Sequence, residues 1–146
     1  MPSIDTLEEL TLQARLFVQA HPRGGAFGLR GDLGVGKTSF VREVIRSICE
    51  SSQQKFPRVV SPSYVLHQLY ETTPPVDHFD LYRMEKLTTE GLLDLGYFEA
   101  AQRAQQGGFL FVEWPERLPA SEKLTAVLDF RFTPQGREFS LRQGGR

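Results

Sequence analysis

The chain has 146 residues, enough for one domain with a sizeable core and too few for two ordinary ones. Charged residues make up 24% and hydrophobic residues 40%, a globular rather than a disordered composition, and a net charge of −1 argues against an autonomous nucleic-acid binder. One cysteine, Cys49, excludes an internal disulfide, and no apolar run approaches the ~20 residues of a membrane span.

Ser3, Asp5 or Thr6 can cap an amphipathic helix over Leu7 to Ala20, with Glu8 and Glu9 in its first turn. Leu10, Ala14, Phe17 and Val18 share its apolar face. The acidic, amphipathic N-terminus is unlike a signal peptide, so a cytoplasmic protein is expected. His21 to Gly25 ends the helix and leads into a short apolar strand, Ala26 to Leu29. Next comes Gly31-Asp32-Leu33-Gly34-Val35-Gly36-Lys37-Thr38, a complete G-x-x-x-x-G-K-[ST] loop. Ser39 to Ile48 is apolar at Phe40, Val41, Val44, Ile45 and Ile48, which is helical spacing. Strand, glycine loop and helix form the context the motif requires. The loop's N–H groups and the helix dipole cradle phosphates, Lys37 reaches the β- and γ-phosphates, and the Thr38 hydroxyl sits on Mg²⁺. Cys49 reads as a structural thiol at the end of that helix.

Beyond a polar loop at 51–55, Val59-Val60 reads as a short strand running into Ser61-Pro62-Ser63-Tyr64, a place for hydroxyls near a γ-phosphate or for a plain Ser-Pro turn. Val65 to Tyr70 and Val76 to Leu81 read as a hairpin across Thr72-Thr73-Pro74-Pro75. Within it, alternation puts Asp80 on the face opposite Phe79 and Leu81; this fits a site-facing carboxylate and a solvated strand face equally. His67 and His78 read as satisfied structural histidines, and no His/Cys cluster points to a transition metal. Glu85 to Leu95 and Tyr97 to Gln106 are helical in pattern, separated by Gly96. Phe109 to Val112 is a continuous apolar run suited to a strand buried on both faces, and it ends in Glu113. A strand-end acid in this position is assigned to Mg²⁺, directly or through water, against the alternative of a surface carboxylate. Leu124 to Phe132 and Glu138 to Leu141 form a C-terminal hairpin, and 143–146 should fray.

The expected fold is α/β: one P-loop NTPase-like domain over residues 1–146, with a mixed sheet and helices on both faces. Strands near 26, 59 and 110 are expected to make its parallel core, with antiparallel strands at the edges. Ligands bind such sheets at the C-terminal strand ends, where the loop, Ser61–Ser63 and Glu113 would converge. The chain has no asparagine, so the Asn-Lys-x-Asp element of guanine readers is absent and adenine is expected.

Several motifs stand in order: Gly-Asp-Leu-Gly-x-Gly-Lys-Thr at 31–38, Ser-Pro-Ser-Tyr at 61–64, His-Phe-Asp-Leu-Tyr-Arg at 78–83, Leu-Gly-Tyr-Phe-Glu at 95–99 and Glu-Trp-Pro-Glu-Arg-Leu at 113–118. As a set they resemble the TsaE family (formerly YjeE), P-loop ATPases of bacterial tRNA threonylcarbamoyladenosine synthesis, over about residues 3 to 141. The resemblance implies catalytic roles for Lys37, Asp80 and Glu113. It implies nucleotide contacts from Asp32 through Ser39, including Leu33, Gly34, Val35, Gly36, Lys37 and Thr38, and from Thr6, Trp114 and Arg137. Mg²⁺ would be held by Thr38 and Glu113, with Ser63 and Asp80 as further candidates. ATP and Mg²⁺ are the implied cofactors and TsaD and TsaB the implied partners, with tRNA reached through that complex and no part for a membrane or DNA. Ser63 and Val65 stand where the family carries threonines, and Val65 cannot hydrogen-bond. The rival readings are a small-molecule or protein kinase, disfavoured by the lack of an Arg-rich lid, and a non-catalytic ATP-gated binding module.

Overall fold

The computed structural model describes residues 2–60 and 65–143. Six strands form one sheet in the order β2-β3-β4-β1-β5-β6. These are β1 (Gly25–Arg30), β2 (His67–Tyr70), β3 (Val76–Asp80), β4 (Phe109–Glu113), β5 (Ala126–Thr133) and β6 (Gly136–Gln143). Among the described residues the α-helices are α1 (Leu7–Ala20), α2 (Lys37–Ser52), α3 (Thr89–Leu95) and α4 (Tyr97–Gln105), with a 3-10 turn at Pro115–Arg117. β3, β4, β1 and β5 run parallel, while β2 and β6 pair antiparallel at the two edges.

β3 and β4 are buried at every position, as strands sandwiched by helices must be. One face packs on α1 and α2 through Phe17, Phe27, Phe40 and Phe111. The Phe17 ring sits edge-on to Phe27 and Phe40, with centroids 4.8 and 5.4 Å away. Each such fully buried side chain contributes about 1.5–3 kcal/mol by leaving water. The other face packs on α3 and α4 through Phe79, Leu92, Tyr97 and Leu110. Cys49 is buried in the α2 face and its thiol pKa is pushed up by that burial, the behaviour of a structural cysteine.

Three expectations are corrected. Val59-Val60 is not a strand. The Val60 N–H and carbonyl are both taken by the Tyr70 hydroxyl, at 3.2 and 3.3 Å, and the place beside β4 is filled by β3. The parallel core is therefore built from the inner strands of the two hairpins together with β1 and β4. Helix α3 starts at Thr89 instead of Glu85, because Thr88 caps it through Gly91 N–H and the Leu87 N–H is drawn to the Arg117 carbonyl. Gln143 pairs with Ala126 as the last residue of β6, so the strand runs to the start of the segment expected to fray.

Of the three candidate caps, Thr6 takes the position: its hydroxyl accepts from Glu9 N–H, and the Glu9 carboxylate accepts from Thr6 N–H, at 3.1 and 2.9 Å. Thr6→Ala is expected to cost about 1 kcal/mol, a drop in Tm of roughly 3 °C in a thermal melt, by opening this box.

Candidate functional site

The site forms at the C-terminal ends of β1, β3 and β4. The loop leaves β1 at Gly31, whose φ is +147° and where an added Cβ would lie 2.6 Å from the Phe130 carbonyl oxygen; only glycine fits that approach to β5. Gly36 opens α2 in the left-handed region with φ +113°, and no side chain caps this helix. Its first N–H groups therefore face the recess as donors.

A recess of about 220 Å³ is lined by Leu33, Gly34, Gly36, Lys37, Thr38, Ser39, Asp80, Glu113 and Arg137. The parallel register sets Asp80 directly opposite Glu113, which is why residues 33 apart in sequence share one wall. Asp80 is 5% exposed and Glu113 is 4% exposed, so neither is a solvated strand-face or strand-end surface group. The Asp80 carboxylate is braced by the Tyr82 N–H at 3.0 Å.

Glu113 is the hub. Its Oε2 accepts the Thr38 hydroxyl at 3.0 Å and His78 Nε2 at 2.6 Å, and its Oε1 lies 4.0 Å from Lys37 Nζ. Burial acts to raise the Glu113 pKa. It is outweighed by the contact and charge of His78, by the Lys37 charge and by the Thr38 hydroxyl, so the carboxyl is held below the usual glutamate value. Lys37 donates to the Gly31 carbonyl at 2.5 Å and stands 4.8 Å over the Trp114 ring. Burial draws its ammonium below the usual lysine value, against the opposing pull of Glu113, Asp80, Glu116 and Asp32.

The donor set fits the expected group. Thr38 Oγ1 and Glu113 Oε2, hard oxygens 3.0 Å apart, match the roughly 2.9 Å edge between adjacent ligands of an octahedral Mg²⁺. Gly34 has nothing within 4 Å of a Cβ built on it, which leaves the loop open toward the recess. Among the described residues no group of three or more His, Cys, Asp or Glu is placed to hold a metal by itself. Mg²⁺ commonly keeps one or two protein ligands and completes its shell with water and phosphate.

The remaining expected residues divide. Arg137 reaches the recess from β6. It is tied to the N-terminal segment by its bond to the Asp5 carbonyl at 3.3 Å, beside the backbone bond from Ile4 N–H to the Arg137 carbonyl. The Thr6 hydroxyl is engaged in its capping box, and Thr6 does not line the recess. Asp32 and Trp114 line a separate recess of about 340 Å³ on the other side of the loop. Val35 is fully buried and supports the loop from beneath. Ser61, Ser63 and Tyr64 lie outside the described residues, and Val65 is exposed.

Two features were not read from the sequence: the backbone and ring neighbours of Trp114, and the contact His78 makes in the site. Trp114 takes φ +63° and its ring is flanked by Tyr82 and Arg117 at 5.2 and 5.5 Å. His78, expected to be a structural histidine, contacts the site's central carboxylate. Strand alternation carried the signal, since His78 lies two residues before Asp80 and so on the same face. His67 is structural: its Nε2 meets Asp77 Oδ1 at 2.6 Å, away from the site.

The family model described as "Threonylcarbamoyl adenosine biosynthesis protein TsaE" matches residues 4–140. The tRNA threonylcarbamoyladenosine biosynthesis protein TsaE of Rickettsia prowazekii is 33% identical over 117 residues, spanning 80% of this chain and 74% of its own length. The protein of the same name from Rickettsia felis is 34% identical over 110 residues, spanning 75% and 58%. Among solved structures, YdiB of Bacillus subtilis superposes with a TM-score of 0.62 at 25% identity, covering 96% of this chain and 82% of its own.

Proposed function

Since the chain belongs to the TsaE family, whose role is in tRNA threonylcarbamoyladenosine biosynthesis, we propose that it is the Mg²⁺-dependent, ATP-binding and ATP-hydrolysing subunit of that modification, working with TsaD and TsaB. The observation that supports this reading is the meeting of Lys37, Thr38 and Glu113 across the ends of β1 and β4, with Asp80 on the same wall. Mg²⁺, when bound, would neutralise phosphate charge and polarise the bond to be broken. Thr38 and Glu113 are the residues to hold it.

Lys37 would exchange the Gly31 carbonyl for phosphate oxygens, so its charge meets the triphosphate at a buried position where the low local dielectric strengthens the interaction. The N–H groups at the start of α2 add donors along the same oxygens. Asp80, braced by Tyr82, would orient water at the open end of the recess. Arg137 adds positive charge from the C-terminal hairpin. The transfer of the threonylcarbamoyl group to tRNA falls to the partners. Among the described residues no helix is long and apolar enough to cross a membrane.

The test is phosphate release from ATP by the purified protein with and without TsaB and TsaD, beside tRNA modification by the mixture. Mg²⁺-dependent release that rises with the partners is expected. Modification that proceeds equally well with a non-hydrolysable analogue would favour the ATP-gated binding module. A stable phosphorylated acceptor would favour a kinase.

A further inference from the structure

Resting on that reading of the site, we infer that His78 is a positioning residue for Glu113: it holds the carboxylate in the rotamer that offers one oxygen beside Thr38 and turns the other toward Lys37. The His78 side chain is 0% exposed, and its Nε2 lies 2.6 Å from Glu113 Oε2. The 2.6 Å contact is a hydrogen bond with the imidazole Nε2–H as donor and the Glu113 carboxylate as acceptor, the pairing that a cation-binding carboxylate takes from a neighbouring histidine. The same oxygen takes the Thr38 hydroxyl at 3.0 Å, while Oε1 faces the Lys37 ammonium at 4.0 Å.

Packing does not account for a histidine here. His78 Nδ1 is buried with no hydrogen-bond partner among the described residues. An unmet buried polar atom is destabilising, and a leucine of similar bulk would not carry one. The imidazole instead contributes a rigid donor from the neighbouring strand. The Thr38 hydroxyl can rotate, and once its oxygen serves a cation the His78 N–H is the contact that still fixes Glu113. Groups that orient a metal-binding side chain in this way typically change metal affinity 10- to 100-fold when removed.

Trp114, the chain's single tryptophan, stands 4.8 Å from Lys37, so its fluorescence reports on the site without any turnover. Mg²⁺ is titrated at saturating ATP into the wild type and into His78→Leu, His78→Gln and His78→Asn. The Gln amide nitrogen reaches the place of Nε2, whereas that of Asn reaches only the place of Nδ1. Half-saturation is expected to need about tenfold more Mg²⁺ in His78→Leu and His78→Asn, and to return to within about threefold of the wild type in His78→Gln. ATP affinity without Mg²⁺ should be unchanged in all three. A wild type that responds while His78→Leu matches it within about twofold overturns the role of His78. So do Gln and Asn variants that behave alike, a comparison that carries the test if His78→Leu fails to fold. A wild type with no response to ATP and Mg²⁺ overturns the nucleotide-site reading itself.

Discussion

Lys37→Ala is expected to lower partner-stimulated ATP turnover by about 100-fold or more, with the fold retained. Lys37 is 4% exposed and carries its charge inside the recess, between the loop carbonyl, Glu113 and the Trp114 face. A preorganised donor aimed at developing charge in a dry site contributes roughly 10²–10³ in rate. Alanine removes that charge and nothing in the loop replaces it, because the backbone N–H groups carry only partial charge. The fold should survive, since Glu113 keeps its bonds to Thr38 and His78. Lys37→Arg should not rescue, as a longer, planar guanidinium spreads its charge and cannot place it where the compact ammonium stands beside the Gly31 carbonyl. Phosphate release with TsaB and TsaD present, alongside circular dichroism of each variant, is the measurement. Turnover within about fivefold of the wild type would remove Lys37 from the mechanism.

The largest effect on stability is expected at Arg103→Met, a loss of about 3 kcal/mol or more at neutral pH. The Asp77 side chain is 1% exposed and lies on the sheet face away from the P-loop helix. Arg103 on α4 grips it with Nε and Nη2 at 2.8 and 2.7 Å, and His67 adds a third contact. Burial alone would raise the Asp77 pKa; the bonds and charges of Arg103 and His67 outweigh it and hold the carboxyl below the usual aspartate value. Removing Arg103 leaves a buried charge without its main partner, and that desolvation cost sets the size of the effect.

The pH dependence follows from the sign of the shift. A depressed folded-state pKa contributes stability that is complete above the unfolded value of about 3.9 and is lost as the pH falls through the folded value. The gap between wild type and Arg103→Met should therefore be full at neutral pH and narrow in acid, the part due to the variant's uncompensated carboxylate fading first and the part due to the depressed wild-type value closing below about pH 3.9. Replacing both members, Asp77→Leu with Arg103→Met, should recover at least half of the loss, because no unpaired charge then remains. Urea unfolding of the three proteins across pH checks each statement. A single variant that loses less than about 1 kcal/mol would place the pair among ordinary surface bridges.

Much of the site was legible locally. The glycine loop is recognisable because its glycine spacing, Lys37 and Thr38 are contiguous, and the strand before and helix after them carry their own periods. Glu113 stood out because an apolar run buried on both faces must end somewhere, and it ended in a carboxylate. Alternation around Phe79 and Leu81 gave Asp80 its face without saying what that face looked at.

The amino-acid sequence by itself thus determined the helices, apart from the start of α3, both hairpins, the glycine loop and the acids at the strand ends, since each depends on spacings of two to four residues along one segment. The tertiary structure decided which strands are neighbours. It put β3 beside β4, left Val59-Val60 out of the sheet, and joined β6 to the N-terminal segment through Arg137. With those neighbours came the register that sets Asp80 opposite Glu113 and His78 within reach of it. Strand order is settled by competition among all apolar segments for the same core positions. That competition is a property of the whole chain, so no single stretch of sequence records its outcome.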